Sequence, residues 1–383
     1  MVRKTVIAFL TTVIAVCSFS CLIYAEGNET LPYREEYENM LDSIPDDIAD
    51  LLPEKIFSDD PDDIVEGARE ATSFYYIINT ALEYLGLELK SAVKLLATLI
   101  GILLLAAVLN TVKGSFSSSA VSEAFSVCAT CAVFLTAIIA QFSIISSVSD
   151  FFSRISTLVN SMIPLMGALY AMGGNITGAV AGHSSLVIFM TIVENLCAGT
   201  ALPIAGICIS FSAVNALAPG MGIGGLSSFF RKTYTTALSF VMTVFTTVMA
   251  AQSLLASKTD NLIGKAAKVA VGNMVPLVGS AIAGTLGTVA MSVEYIRAGV
   301  GVVGVVIIIL LLIPTLLTLL VTKYVYSLAS GMADILGCSA EGRLISELSG
   351  INGFLLASAC ICSVTLIFIL TAFAKCSAAA VAL

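Results

Sequence analysis

The feature that most constrains this chain is a series of long, nearly unbroken apolar runs. They occupy residues 91–112, 124–148, 183–218, 234–256, 298–322 and 351–374. A helix needs about 20 apolar residues to cross the hydrocarbon core of a bilayer. Of the 383 residues 58% are hydrophobic and 11% charged, where a soluble domain is about a quarter charged. The reading is an all-α polytopic membrane protein. The 183–218 run is too long for one simple span and contains Pro203, so it is either a kinked helix or two segments.

Two further apolar stretches, 157–181 and 266–291, are rich in Gly and Pro and raise the possible span count from six to eight. They are similar to each other. "NSMIPLMGALYAMG" (160–173) is echoed by "GNMVPLVGSAIAG" (272–284), with Pro164 and Gly167 matching Pro276 and Gly279 at a spacing of 112. Leu202–Pro203 matches Ile313–Pro314, and "APGM" at 218–221 matches "ASGM" at 329–332, both at a spacing of 111. The register predicts a tandem repeat of about 111 residues, with units at 124–233 and 234–345 and a partial third copy at 346–383.

Repeats whose broken helices meet near the midplane are common in transporter folds. If the Gly/Pro stretches cross, each unit has three spans and the units are inverted. If they are re-entrant, each has two and the units are parallel. Cytoplasmic loops carry an excess of Lys and Arg. That rule places Lys113, Lys323 and Arg343 inside in both arrangements. The inverted one adds Lys258, Lys265 and Lys268 and leaves Arg231 and Lys232 outside; the parallel one reverses this. The larger cluster favours the inverted arrangement.

The charge is divided unevenly. Residues 26–90 hold 18 of the 26 acidic residues against four basic ones, whereas residues 91–383 hold eight acids and 12 bases. Ahead of the acidic part, Arg3 and Lys4 precede an apolar run to Tyr24, and Ile23 and Ala25 fit a signal peptidase site. Cleavage after Ala25 is favoured over an uncleaved anchor. Three regions follow: a signal peptide at 1–25, an extracytoplasmic acidic head at 26–90, and a membrane domain at 91–383. Within the head, Ile44, Ile48, Leu51 and Leu52 recur at helical spacing, with Ser43 or Asp42 as a cap and Pro53 as the stop. Short helices joined by proline turns are expected. They are too small and charged to hold a large core, so the head should pack on the membrane body or on a partner.

Ionisable groups at membrane depth are costly and point to function by default. Glu194, in "IFMTIVENLCAG", is the clearest candidate, with Asn273 and the two proline motifs beside it as a substrate or proton path. The competing reading is interhelical hydrogen bonding. Glu294 and Arg297 stand three residues apart and are expected to form an ion pair. His183 is a helix-start residue. Cys128 and Cys131 form a CxxC, but with one histidine in the chain neither a metal site nor another cofactor site is expected. No HExxH, GxSxG or P-loop pattern occurs, so no enzyme activity is predicted, and energy would come from a gradient or a partner ATPase. No basic stripe for nucleic acid is present either.

The combination of a signal sequence, a head with "IPDDIADLLPEKI", and a membrane body with "KAAKVAVGNMVPLVGSAIAGTLGTV" and "SMIPLMGALYAMGG" resembles the stage III sporulation protein AE family of endospore-forming Firmicutes. The resemblance covers most of the chain. It implies a multi-pass subunit of the mother-cell membrane around the forespore, in a channel or secretion-like complex needed for endospore development. The implied partners are other stage III sporulation membrane proteins, including a cytoplasmic ATPase and ring-forming subunits. No catalytic residues come with it. A stand-alone secondary transporter and a structural membrane scaffold are the alternatives.

Overall fold

The computed structural model describes residues 33–58, 60–113, 119–172, 191–217, 225–248, 251 and 279–375, with a few positions between 184 and 189. The described residues are helical, with no strand among them. The signal sequence, His183, Asn273, Pro276 and the Lys258–Lys268 cluster lie outside the described residues, as do the side chains of Glu194 and Glu294.

The head is built from short helices. α1 spans Arg34–Asp42 and α2 spans Asp46–Ala49. A 3-10 turn follows at Glu54–Phe57, then α3 at Pro61–Ala71. The single helix expected around Ile44–Leu52 is shorter than its spacing predicts. Pro45 holds an extended conformation ahead of α2, and Pro53 does the same ahead of the 3-10 turn. Proline cannot donate into a helix interior, so each one restarts the chain. Ser43 is not the cap; its hydroxyl donates to the Met40 carbonyl. α3 starts by the usual chemistry: Asp60 accepts from the Asp62 N–H, Pro61 takes the first position, and Asp62 and Asp63 fill the first turn.

Among the described residues, five helical stretches are long and apolar enough to cross a membrane. α4 (Phe74–Lys113) leads out of the head, and α5 (Ser119–Met172) follows. A π-helical stretch, Val193–Ala201, runs into α6 (Leu202–Leu217). α7 occupies 225–248. α8 (Gly279–Ile335) and α9 (Ser339–Lys375) complete the bundle. The five stretches lie within α4, α5, the run into α6, α8 and α9; α7 is not one of them. The turn from α8 into α9 closes on Gly337 with φ of 75°. There the Cys338 N–H reaches the Ala333 carbonyl at 2.8 Å and the Gly337 N–H reaches Asp334 at 3.1 Å. This is a Schellman ending, and the left-handed position is why glycine stands there.

Contacts fix the helix directions. Thr130 on α5 donates to Glu341 on α9, and eleven residues further along both helices Gln141 donates to Asn352. α5 and α9 are therefore parallel. α8 runs against them, with Tyr326 beside Ala137 and Gly304 beside Met162. α7 is parallel to α9, since Ser227 meets Glu347 and Tyr234 meets Phe354. Residues 189–217 run against α7, through Phe189–Phe245 and Cys208–Ser227.

These directions correct two expectations. The described part of the 157–181 stretch, residues 157–172, is not a separate crossing, because α5 continues unbroken through Pro164 to Met172. A helical proline leaves the carbonyl four residues back without its donor. Here that residue is Asn160, and Asn160 and Pro164 are both exposed near the head, where water can satisfy the group. The inverted arrangement also fails: Arg231 and Lys232 lie at the same end of the bundle as Lys323 and Arg343, the end away from the head.

α5 and α8, with 54 and 57 residues, run about 80 Å each at 1.5 Å per residue. The hydrocarbon core is only about 30 Å thick. The head lies along their overhanging ends. Ser43 and Ser161 share a hydrogen bond of 2.8 Å, and Arg154 binds Asp47 at 2.7 Å. Val65 of α3 sits so close to Gly299 that a Cβ there would lie 2.6 Å from its methyl. Tyr37, Met40, Ile48, Ile56 and Ile64 are buried in the head.

Candidate functional site

The polar residues of the membrane body gather along α9. The π-helical stretch that carries Glu194 packs against it. Pro203, two residues beyond that stretch, has no N–H for the carbonyl four residues back, and its ring crowds that turn. The wider π turn relieves the crowding, and side chains take up the displaced carbonyls. Thr200 donates to the Asn195 carbonyl at 2.6 Å and Asn195 to Thr191 at 2.8 Å. The Tyr234 hydroxyl, from α7, donates to the Leu196 carbonyl. Beneath it the Cys197 and Cys362 sulfurs are 2.8 Å apart, both fully buried.

About one turn back along α7 from Tyr234, Arg231 crosses to α9. Its Nη2 meets Glu347 Oε2 at 2.6 Å, and its Nη1 donates to the Glu347 carbonyl at 3.0 Å. The Ser227 hydroxyl donates to the same carboxylate at 3.1 Å. On the other side of α9, Gln141 Nε2 donates to Asn352 Oδ1 at 2.7 Å, and Asn352 Nδ2 donates to Thr322 at 2.9 Å. Gln141 and Asn352 are fully buried. Glu341, 2% exposed, accepts from Thr130 at 2.8 Å. α9 is thus bonded to α5, α7 and α8 by side chains that hydrocarbon cannot satisfy. Such bonds fix register and rotation.

The residues singled out from sequence fare differently. Glu194 has its backbone in the π stretch. Pro164 and Gly167 lie mid-helix in α5 near the head, and a Cβ at Gly167 would meet open space, so no close helix approach occurs there. Gly279 is the first residue of α8. Arg297 is buried at 1% exposure, two residues before the Val65 contact. Pro164 and Gly279 therefore stand near the head end, away from the α7–α9 seam. The residues that bond α9 to its neighbours, Gln141, Asn352 and Glu347, were not singled out, although a lone amide in "IIAQFSII" or "SGINGFLL" is the signal that could have found the first two.

Long apolar helices locked by buried polar pairs, with short helices packed on their ends, define a polytopic helical membrane protein. The sequence profile of the family described as "Stage III sporulation protein AE" matches residues 59–379. The chain belongs to this family. A relative named "Stage III sporulation protein AE" from Bacillus subtilis (strain 168) is 24% identical over 265 residues, 68% of this chain. The chain spans 65% of the length of that curated relative. No solved structure matches the chain.

Proposed function

We propose that the chain is the multi-spanning membrane subunit of a channel or secretion-like complex between mother cell and forespore, required for endospore development. Family membership across residues 59–379 is the observation that carries this reading. The charge distribution supports an orientation. The helix ends at Lys113, Arg231, Lys232, Lys323 and Arg343 share the side away from the head. Positive residues mark the cytoplasmic side, so the acidic head stands in the intermembrane space, in the mother-cell membrane around the forespore. A cytoplasmic ATPase would then meet the basic end, and ring-forming subunits the head.

The test is affinity purification of the tagged full chain from sporulating cells, under detergent conditions that keep membrane complexes together. Co-isolation of an ATPase and ring-forming membrane proteins is expected. Recovery of the chain alone would overturn the reading. A cysteine at position 232, on a cysteine-free background, should label only from the cytoplasm. Labelling from outside would overturn the orientation.

A second reading, a secondary transporter, draws on the π-helical stretch at Glu194, because such turns recur at functional sites. Normal sporulation by a Glu194→Gln strain would end it.

A further inference from the structure

The seam between α7 and α9 is open along its outer side. Near the basic end it forms a cleft of about 340 Å³, lined by Arg231, Lys232 and Thr235 of α7 and by Gly353, Phe354 and Ala357 of α9. One helical turn further, from Ser239 and Cys360, the same seam widens into a trough of about 660 Å³ with Met242, Val364 and Phe368 on its walls. Val364 is 64% exposed and Phe368 39%. From Arg231 to Thr247 the groove runs about 24 Å, at 1.5 Å per residue.

Two glycines shape the mouth. A Cβ on Gly350 would collide with the Arg231 guanidinium, and one on Gly353 would sit 3.4 Å from the Lys323 ammonium. Their absence of side chains lets a cation from α7 and a cation from α8 lie over the same turn of α9. Glu347 neutralises Arg231. Among the described residues, Lys232 and Lys323 form no ion pair. The mouth therefore carries net positive charge directly below an apolar trough.

We propose that this groove is a binding site for an anionic phospholipid. The head-group phosphate would sit at Arg231 and Lys232, with Lys323 beside Gly353 at the edge of the cleft, and one acyl chain would lie along the trough past Met242 towards Phe368. A basic pocket between the helices of a membrane protein suits an acidic head group, and the apolar trough beside it suits an acyl chain, which a free phosphate lacks. Bound there, the lipid would bridge α7, α8 and α9.

The chain contains no Trp, which allows a clean test. The full chain with Phe368→Trp is reconstituted in vesicles, and fluorescence is quenched with dibrominated phosphatidylglycerol or dibrominated phosphatidylcholine. Phosphatidylglycerol is expected to quench at a several-fold lower mole fraction. Lys232→Gln and Lys323→Gln should each cut that preference about fivefold, the worth of one basic residue near an anionic lipid. A chain with Phe229→Trp instead, on the exposed outer face of α7, should show no preference. Equal quenching by the two lipids, or a preference untouched by both lysine substitutions, would sink the proposal. So would loss of the preference on adding inorganic phosphate with the vesicle charge held constant, since the site would then take a free anion.

Discussion

The head and the α7–α9 seam follow opposite rules. In the head the charges face water and the interior is apolar: Met40, Ile48 and Ile56 are buried while the carboxylates of α1 and α3 remain outside. Around α9 the polar groups lie between the helices instead: the part-buried Arg231–Glu347 pair in the seam with α7, and the fully buried Gln141 and Asn352 on the opposite side towards α5. The difference follows from the solvent. Water drives apolar side chains together, whereas lipid offers no such drive, and packing and hydrogen bonds must specify which helices meet. The head is stabilised by what it hides from water, the seam by bonds that lipid cannot supply.

The largest effect expected from this contrast is at Arg231. Arg231→Ala leaves Glu347 without its cation at 22% exposure, with only the Ser227 hydroxyl still donating to it. Removing one partner of a fully buried pair costs about 3–5 kcal/mol, and partial exposure puts this site at the lower end of that range. Thermal unfolding in detergent should fall sharply, while the double variant Arg231→Met with Glu347→Leu recovers most of the loss. A double variant as unstable as the single one would show that the pair does more than neutralise itself. Next is Ile48→Ala in the head, where a fully buried aliphatic truncation costs about 2–4 kcal/mol. Hydrogen exchange should rise across α1 to α3 and remain unchanged in α9. Equal loosening of both would mean that head and seam unfold as one unit, and the contrast between them would fail.

The same contrast explains what was legible in the sequence. Helical spans, the acidic head and the family could be read from patterns within one segment. The apolar face of the head could be read too, because polar and apolar residues alternate there with helical spacing. The place where the head docks could not, since Asp47 meets Arg154 and Ser43 meets Ser161 more than a hundred residues away. In the membrane body even the faces are illegible: a residue facing lipid and one facing another helix are both apolar. Arg231 was read as a topology marker because its partner lies 116 residues on. Pro164 was read as a break because the cost of a helical proline depends on whether water reaches the freed carbonyl, which composition does not show.

A smaller effect is expected at Tyr37, whose hydroxyl donates to the Ile56 carbonyl at 2.8 Å. Burial, and secondarily the neighbouring Tyr33, pushes its phenol well above the ordinary value of 10.0. A group whose value is raised on folding adds stability that is complete below the unfolded value and is lost as pH climbs through the folded one. The head should therefore loosen above about pH 10. Tyr37→Phe should cost about 1 kcal/mol at neutral pH and flatten that alkaline decline. An unchanged alkaline profile would assign the decline to other groups.

The smallest effect is at the contact that looks most prominent, Arg154 with Asp47 and Asp150. The distances are short, 2.7 and 2.9 Å, yet all three side chains are roughly a third or more exposed. Pairs of this kind contribute about 0–1 kcal/mol and weaken with salt. If the head is held by hidden apolar surface, Arg154→Gln should barely change its protection from protease, and high salt should not release it. Val65 against Gly299 is the apolar contact at the same interface, so Val65→Asp should free the head where Arg154→Gln does not. Release by salt or by Arg154→Gln, with Val65→Asp silent, would mean that the head is held by charge, and the rule separating it from the seam would have to be rewritten.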